Sequence, residues 1–265
     1  MIRLRDLRVT FNSGTVNQVS ALRGINLTLE AGEFATIVGS NGAGKSTLLN
    51  AIAGVFTADS GSITIGDRDV TAEPEHRRAS LVGRVFQNPL DGTAASMTLE
   101  ENLALAARRG QSRGIGTAVS TASRERFRDL LAMLGMGLEG RLSARVGLLS
   151  GGQRQAVTLL MAVIAQPRVL LLDEHTAALD PGAAAQIESL TSQLVAAQGL
   201  TTLMVTHNMQ QALRMGSRTL MLDQGEVVLD ISGQERAGLG VEDLVQRFAT
   251  ARQQAIVDDK LLLAH

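Results

Sequence analysis

Residues 34–55 read FATIVGSNGAGKSTLLNAIAGV, and the order of residue types in this stretch settles the class of fold. Phe34 to Val38 form a short continuous apolar run, which suits a strand covered on both faces. A glycine-rich turn follows. Beyond it, Leu48, Leu49 and Ile52 fall on one face of a helix, and Gly54 stands where a helix C-terminus is expected. A buried strand, a glycine turn and a helix, in that order, predict an α/β protein.

The flanking sequence extends the pattern. Val9 to Phe11 and Ile25 to Leu29 have strand character, as do Ile63 to Ile65 and Ser80 to Phe86, the last leading into the loop QNPLDGT. From Met97 to about Ile164 the periodicity is helical, with helices expected at Glu101–Arg109, Arg124–Leu134 and Ser150–Ala165. Gly110 to Ser123, rich in Gly, Ser and Thr, reads as a mobile surface link. Strand signals return in VLLLD ending at Asp173, in TTLMVT ending at Thr206, and in TLMLDQGEVVL, where Gln224-Gly225 is a hairpin turn. Pro181 to Ala197 is helical between two of them. This alternation predicts a mainly parallel sheet, interrupted by a helical insertion at roughly residues 88–160. No internal repeat stands out, and the tail after Ile231 holds an amphipathic helix from Val241 to Arg252.

Composition removes several function classes. The 265 residues suffice for one large or two small domains with a real core. Lys+Arg is 25 and Asp+Glu is 26, a net charge of -1, which argues against a general nucleic-acid coater or a polybasic membrane binder. With no cysteine, there is no disulfide, thiolate nucleophile or Cys-ligated metal. With no Trp or Tyr and six Phe, there is no stacking platform for single strands, so no nucleic-acid partner is expected. The most apolar stretch, Val157 to Leu172, is broken by Gln166, Pro167 and Arg168, and no run is long enough to span a bilayer. The N-terminal MIRLRDLRVTF alternates charge and hydrophobe and does not read as a signal peptide. A soluble cytoplasmic chain is expected, with membrane contact made through a partner.

Gly39 to Thr47, GSNGAGKST, fits G-x-x-x-x-G-K-[ST] at Gly39, Gly44, Lys45 and Ser46. Glycine lets the backbone across Gly39, Ser40, Asn41, Gly42, Ala43 and Gly44 turn its N–H groups toward phosphate oxygens. The helix that starts at the motif's end, with Ser46 and Thr47, adds its positive dipole end. Lys45 would reach the β- and γ-phosphates, and the Ser46 hydroxyl would ligate magnesium. The alternative is a chance glycine turn, which would need one of only two lysines, Lys45 and Lys260, to fall at the fixed position by accident.

VLLLDE, Val169 to Glu174, is an apolar strand ending in two carboxylates. Asp173 can hold magnesium directly or through water, and Glu174 can polarise a water for attack on a γ-phosphate. Taken alone, the strand could equally end in a loop with no such role. Both elements together say nucleotide triphosphatase or kinase. LLSGGQRQAVTLL then places Ser150, Gly151, Gly152 and Gln153 at the start of a helix. That is either a second phosphate-recognising helix N-terminus or an ordinary serine cap.

With LSGGQ at Leu149 to Gln153, the chain resembles the ATP-binding subunit of ABC transporters from about Leu4 to Val228. The resemblance implies a P-loop NTPase core with an antiparallel β subdomain and an α-helical insertion. It assigns residues 1–235 to the ATPase domain and 236–265 to a helical C-terminal extension. GSNGAGKST looks like the Walker A loop, Gln87 the Q-loop glutamine, and Asp173 and Glu174 the Walker B aspartate and catalytic glutamate. Ala178-Leu179-Asp180 resembles the D-loop and His207 the switch histidine. The family implies two copies joined head to tail around two Mg-ATP, with Ser150, Gly151 and Gly152 of one copy meeting the γ-phosphate held by the other. Gln87 would sense magnesium and γ-phosphate, and His207 would help to position the water. Separate permease subunits would dock beside the Q-loop, placing this subunit on the cytoplasmic face of the membrane, with a solute-binding protein on the permease.

The chain departs from the family pattern in two places. Phe11 stands where the family stacks an aromatic on adenine, but NSGTVNQVS lengthens the segment after it. His175 replaces a common proline and is read as a harmless loop residue rather than part of the catalytic water network. The DEHTAALDP run and FQNPLDGTAASMT are similar to a subgroup of bacterial importer ATPases that serve amino-acid-like solutes, aromatic ones in some cases. Two other readings compete: a soluble ABC-type ATPase of cofactor assembly or DNA repair, and a small-molecule kinase on the same loop. The repair relatives carry a long coiled-coil insertion that is missing here. The kinase reading has no need of the Ser150 segment.

Overall fold

A computed structural model describes residues 1–111 and 119–262, with side chains at the C-terminal end described as far as Arg252. From the N-terminus come β1 (Ile2–Phe11), β2 (Val19–Leu29), β3 (Phe34–Gly39), α1 (Lys45–Ala53), β4 (Ser60–Ile65) and β5 (Arg68–Asp69). Next are α2 (Glu75–Arg78), β6 (Val82–Val85), α3 (Leu99–Ala107), α4 (Thr121–Ala132), α5 (Gly151–Val163), β7 (Val169–Asp173) and α6 (Pro181–Gln198). The chain closes with β8 (Thr201–Val205), α7 (Met209–Arg214), β9 (Arg218–Asp223), β10 (Glu226–Ser232), α8 (Gly233–Arg236) and α9 (Val241–Leu262). Two compact units result: Met1–Pro74 together with Thr201 onward, and Glu75–Leu200.

In the first unit, β3 lies between β8 and β9 and is parallel to both, pairing Ala35 with Leu203 on one side and with Arg218 on the other. All of Phe34 to Val38 is buried, as the unbroken apolar run requires. The one polar member, Thr36, satisfies its hydroxyl with Ala212 O and Arg218 O, both at 3.2 Å, and with Thr219 Oγ1 at 3.1 Å. β10 returns antiparallel to β9 through Gln224 (φ 47°) and Gly225 (φ 86°), the paired left-handed turn that matches strand twist.

A separate antiparallel sheet has the order β2-β1-β4-β5. β1 corrects the sequence expectation: it spans Ile2–Phe11, not Val9 to Phe11 alone. Its buried residues are Ile2 and Leu4, then Leu7 and Val9, so the period of two changes phase midway. The phase change is a β-bulge between Leu4 and Leu7, with Asp6 at φ 43°. Gly61 answers it, since a Cβ there would lie 2.4 Å from Asp6 O. A broken alternation hides a strand from periodicity.

The second unit pairs β6 and β7 in parallel, Val82 with Val169 through Val85 with Leu172. Helices α3, α4 and α5 lie between these strands in sequence. Half of the expected link from Gly110 to Ser123 falls outside the described residues, but its end is corrected. α4 starts at Thr121, and Ser120 and Ser123 form a reciprocal capping box, Ser123 N donating to Ser120 Oγ at 3.2 Å and Ser120 N to Ser123 Oγ at 2.7 Å. Serines that read as a link are a cap.

The C-terminal segment packs on the first unit. Leu244 of α9 is buried with Val38, Ala212, Met221 and Ile231, and Phe248 packs against the same cluster. Arg236 of α8 closes the end of α7, donating through Nη2 to Ala212 O, Leu213 O and Met215 O at 2.8–2.9 Å and through Nε to Thr219 Oγ1 at 2.9 Å. A cation at a helix C-terminus meets both the orphan carbonyls and the negative dipole end. Arg236→Met is therefore expected to lower unfolding free energy by about 2 kcal/mol, because half-buried carbonyls lose a charged donor. The shift of the urea midpoint, followed by circular dichroism, measures it.

Candidate functional site

The phosphate-loop residues sit where β3 hands over to α1. Gly39 abuts the end of β9, and a Cβ there would lie 2.2 Å from Leu222 O. Gly44 has φ 98°, and its Cβ would meet Ala21 O at 2.5 Å. Only glycine meets both demands. Gly44 caps α1 without a side-chain hydrogen bond, so the dipole end of the helix meets the loop without a Ser, Asp or Asn lid. Lys45 is 7% exposed and donates Nζ to Gly39 O and Ser40 O, each at 2.9 Å, folding the loop around its own ammonium. Ser40 Oγ donates to Asp223 Oδ1 at 3.1 Å, and Gly225 N donates to Ala43 O at 3.1 Å, so the β9–β10 turn buttresses the loop. This arrangement presents backbone dipoles and one cation to an anion.

His207 is exposed just after β8, next to Asn208, whose side chain caps α7 by accepting from Gln211 N at 3.0 Å. Phe11 ends β1 and is 38% exposed. Its ring meets Phe56 edge to face, with centroids 5.4 Å apart. It is therefore neither free of packing nor lost in the core.

In the second unit, β7 delivers Asp173 and then Glu174. Glu174 has φ 44°, a left-handed backbone that is uncommon for a glutamate. Gln87 Nε2 donates to Glu174 Oε2 at 3.2 Å, so two residues 87 positions apart in sequence meet. Arg84, on β6, places Nη2 3.8 Å from Asp173 Oδ2 and stacks 4.4 Å from the centroid of the Phe86 ring. Burial lowers the Arg84 pKa, while Asp173 opposes that shift. Sequence reasoning missed Arg84, although a lone arginine inside the strand VGRV is a signal of a buried partner.

Ser150 caps α5 in a capping box: Gln153 N donates to Ser150 Oγ, and Ser150 N donates to Gln153 Oε1, both at 3.3 Å. The ordinary cap is thus real, and it also fixes the backbone that a phosphate would need. Gly151 and Gly152 face the start of α6, where added Cβ atoms would stand 3.6 Å from Leu179 Cδ2 and 3.2 Å from Ala183 Cβ. Asp180 caps α6 by accepting from Gly182 N and Ala183 N. Together these residues line a hollow of about 380 Å³ with Ala178 and Leu179. Arg154, also unread in the sequence, clamps the loop ahead of Ser150 by donating to Val146 O, Gly147 O and Leu149 O at 3.0–3.3 Å.

His175 is 2% exposed and bonds Thr191 Oγ1 through Nε2 at 3.1 Å. Thr191 gives its own proton to Ile187 O at 2.7 Å, so His175 Nε2 carries the hydrogen that bonds it. The imidazole is a buried packing group held against α6, where the sequence reading expected a loop residue.

Residues 22–177 match the protein family described as ABC transporter. The tyrosine transport ATP-binding protein of Clostridioides difficile (strain R20291) is 41% identical over 251 residues, spanning 95% of this chain and 100% of that protein. The lipoprotein-releasing system ATP-binding protein LolD of Ruegeria sp. (strain TM1040) is 37% identical over 233 residues, 86% of this chain and 97% of its own. Among solved structures, the dimeric post-hydrolysis ATP-binding cassette MJ0796 bound to ADP and Pi has a TM-score of 0.75 at 29% identity, covering 88% of this chain and 98% of that one.

Burial pushes the His175 pKa down from 6.5 to about 4. Between these values an unfolded chain takes up a proton that the folded chain refuses. The stability tied to His175 is therefore fully present above pH 6.5 and is lost as pH falls toward 4, by about 1.4 kcal/mol per unit. Between pH 7 and pH 5 the native chain should lose about 2 kcal/mol more than His175→Gln. Urea midpoints of the two chains at the two pH values give the difference directly.

Proposed function

The chain belongs to the ABC transporter family as an ATP-binding, ATP-hydrolysing subunit, and we propose that its hydrolysis runs through a head-to-tail pair of copies that drives import of an amino-acid-like solute. The hydrogen bond from Gln87 to Glu174 at the end of β7 is the observation that carries the hydrolytic part. It ties the side chain best suited to take a proton from water to the loop best suited to sense what binds beside it.

In this reading Gly39 to Thr47 hold the triphosphate, with Lys45 on the β- and γ-phosphates and Phe11 offering a face to adenine. The Ser46 hydroxyl and the Asp173 carboxylate are hard oxygen donors that fit magnesium, with Gln87 as a further ligand. When bound, that ion would neutralise charge on the phosphate oxygens. Glu174 accepts a proton as water attacks the γ-phosphorus, the bond to the β-phosphate oxygen breaks, and ADP and phosphate leave. His207 holds the γ-phosphate and the attacking water in line. Ser150, Gly151, Gly152 and Gln153 of one copy complete the site of the other, so that turnover follows closure.

Coupling to transport follows from the second unit. A cleft of about 950 Å³, lined among others by Asp91, Asn102, Leu105, Arg109 and Met161, lies beside the loop that follows Gln87 and suits a docking helix of a separate permease. Among the described residues no helix is long and apolar enough to cross a membrane. In this reading the subunit works at the cytoplasmic face, held there by that permease, which in turn receives solute from a binding protein. An aromatic amino acid as solute is supported by the end-to-end match to a relative named for tyrosine transport; methionine and sulfate/thiosulfate import ATP-binding proteins match at 35% and 38% identity, although this chain spans only 60% and 61% of them.

Glu174→Gln tests the mechanism. It should keep Mg-ATP bound, cut turnover at least about a hundredfold and shift the chain from monomer to dimer in light scattering. A monomer under saturating Mg-ATP counts against the paired site. Uptake of labelled tyrosine, phenylalanine and methionine into vesicles that hold the assembled transporter decides the solute.

A further inference from the structure

A line of polar contacts joins the C-terminal helix to the phosphate loop. Arg252 of α9 places Nε 3.1 Å from Asp223 Oδ2. Asp223 Oδ1 accepts from Ser40 Oγ at 3.1 Å, and Ser40 O accepts from Lys45 Nζ at 2.9 Å. The Asp223 side chain is 8% exposed, whereas that of Arg252 is 48% exposed, so a shielded anion is met by a cation arriving from the solvent side.

Both partners are held in place by features already described. Asp223 ends β9, directly before the turn whose Gly225 N donates to Ala43 O. Leu244, Phe248 and Arg252 recur every four residues and share one face of α9. Leu244 and Phe248 dock that face on the cluster around Met221, which delivers Arg252 to Asp223.

A carboxylate bonded to the loop that grips a triphosphate repels that ligand unless a cation cancels it. We infer that Arg252 is a positioning residue for ATP. It neutralises Asp223, keeps it turned onto Ser40, and thereby sets both the charge and the shape of the loop's first half. The C-terminal helix is then part of the nucleotide apparatus. The inference rests on Gly39 to Thr47 being the phosphate loop of the proposed function.

The test is nucleotide affinity in the full-length chain, measured with fluorescent Mg-ATP and ADP at low and high salt. Arg252→Gln should weaken Mg-ATP about fivefold to tenfold and ADP distinctly less, with the gap closing at high salt. Arg252→Lys should recover most of the loss. Asp223→Asn, which removes the anion and keeps an acceptor for Ser40, should bind Mg-ATP no more weakly than the native chain. The double variant Asp223→Asn, Arg252→Gln should return to within about twofold of it. An unaltered affinity in Arg252→Gln, an equal loss for ATP and ADP, weaker binding by Asp223→Asn, or no recovery in the double variant overturns the inference. Should Arg252→Gln not fold, Arg252→Lys and Asp223→Asn still carry the comparison. Lys45→Ala separates the two failures: if it binds Mg-ATP as the native chain does, the phosphate-loop reading itself falls; if it does not while Arg252→Gln does, only the role of Arg252 falls.

Discussion

Backbone meets backbone where β3 ends against β9, and the phosphate loop takes its shape from that contact. The 2.2 Å separation that a Cβ at Gly39 would have from Leu222 O leaves no room for any side chain. With the strand end pinned, the loop has to turn at once, Gly44 has to take a left-handed conformation, and α1 has to begin at Lys45. Lys45 then closes the loop on its own carbonyls. A rigid cradle of this kind loses little freedom when an anion arrives, which is how preorganised dipoles contribute most to binding.

The same economy governs the second unit. Each of its signature elements does two jobs. Ser150 and Gln153 satisfy the orphan donors of α5 and also set the backbone that faces the hollow beside Leu179. Asp180 caps α6 and ends the segment that follows Glu174. Helix caps that line the hollow tie its shape to local helix stability.

What the sequence discloses follows from where the information lies. β3 and β7 were legible because strands buried on both faces have to be continuous runs of apolar residues. The hairpin was legible because Gln224-Gly225 has few other uses. The glycine loop was legible because its close backbone approaches and its left-handed turn restrict residue type at fixed spacing. Most of β1 was not, since the bulge at Asp6 shifts its alternation by one residue. The start of α4 was not, since serine serves both links and caps. Asp223, Arg84, Arg154 and Arg252 escaped for one shared reason. Each acts on a partner fixed by tertiary packing or by a bend in the chain, and a lone charge in a sequence does not name its partner. The left-handed backbone at Glu174 is of the same kind: a strained dihedral leaves no trace in residue type.

Lys45 is one of only two lysines among the 25 basic Lys and Arg residues, and its amine lies folded against two carbonyls at 7% exposure. Arginine carries almost all of the remaining positive charge, and its guanidinium resists acylation at neutral pH. Acylating reagents thus meet two ε-amino groups in the chain, Lys45 and Lys260, and leave the arginine charge of the surface untouched.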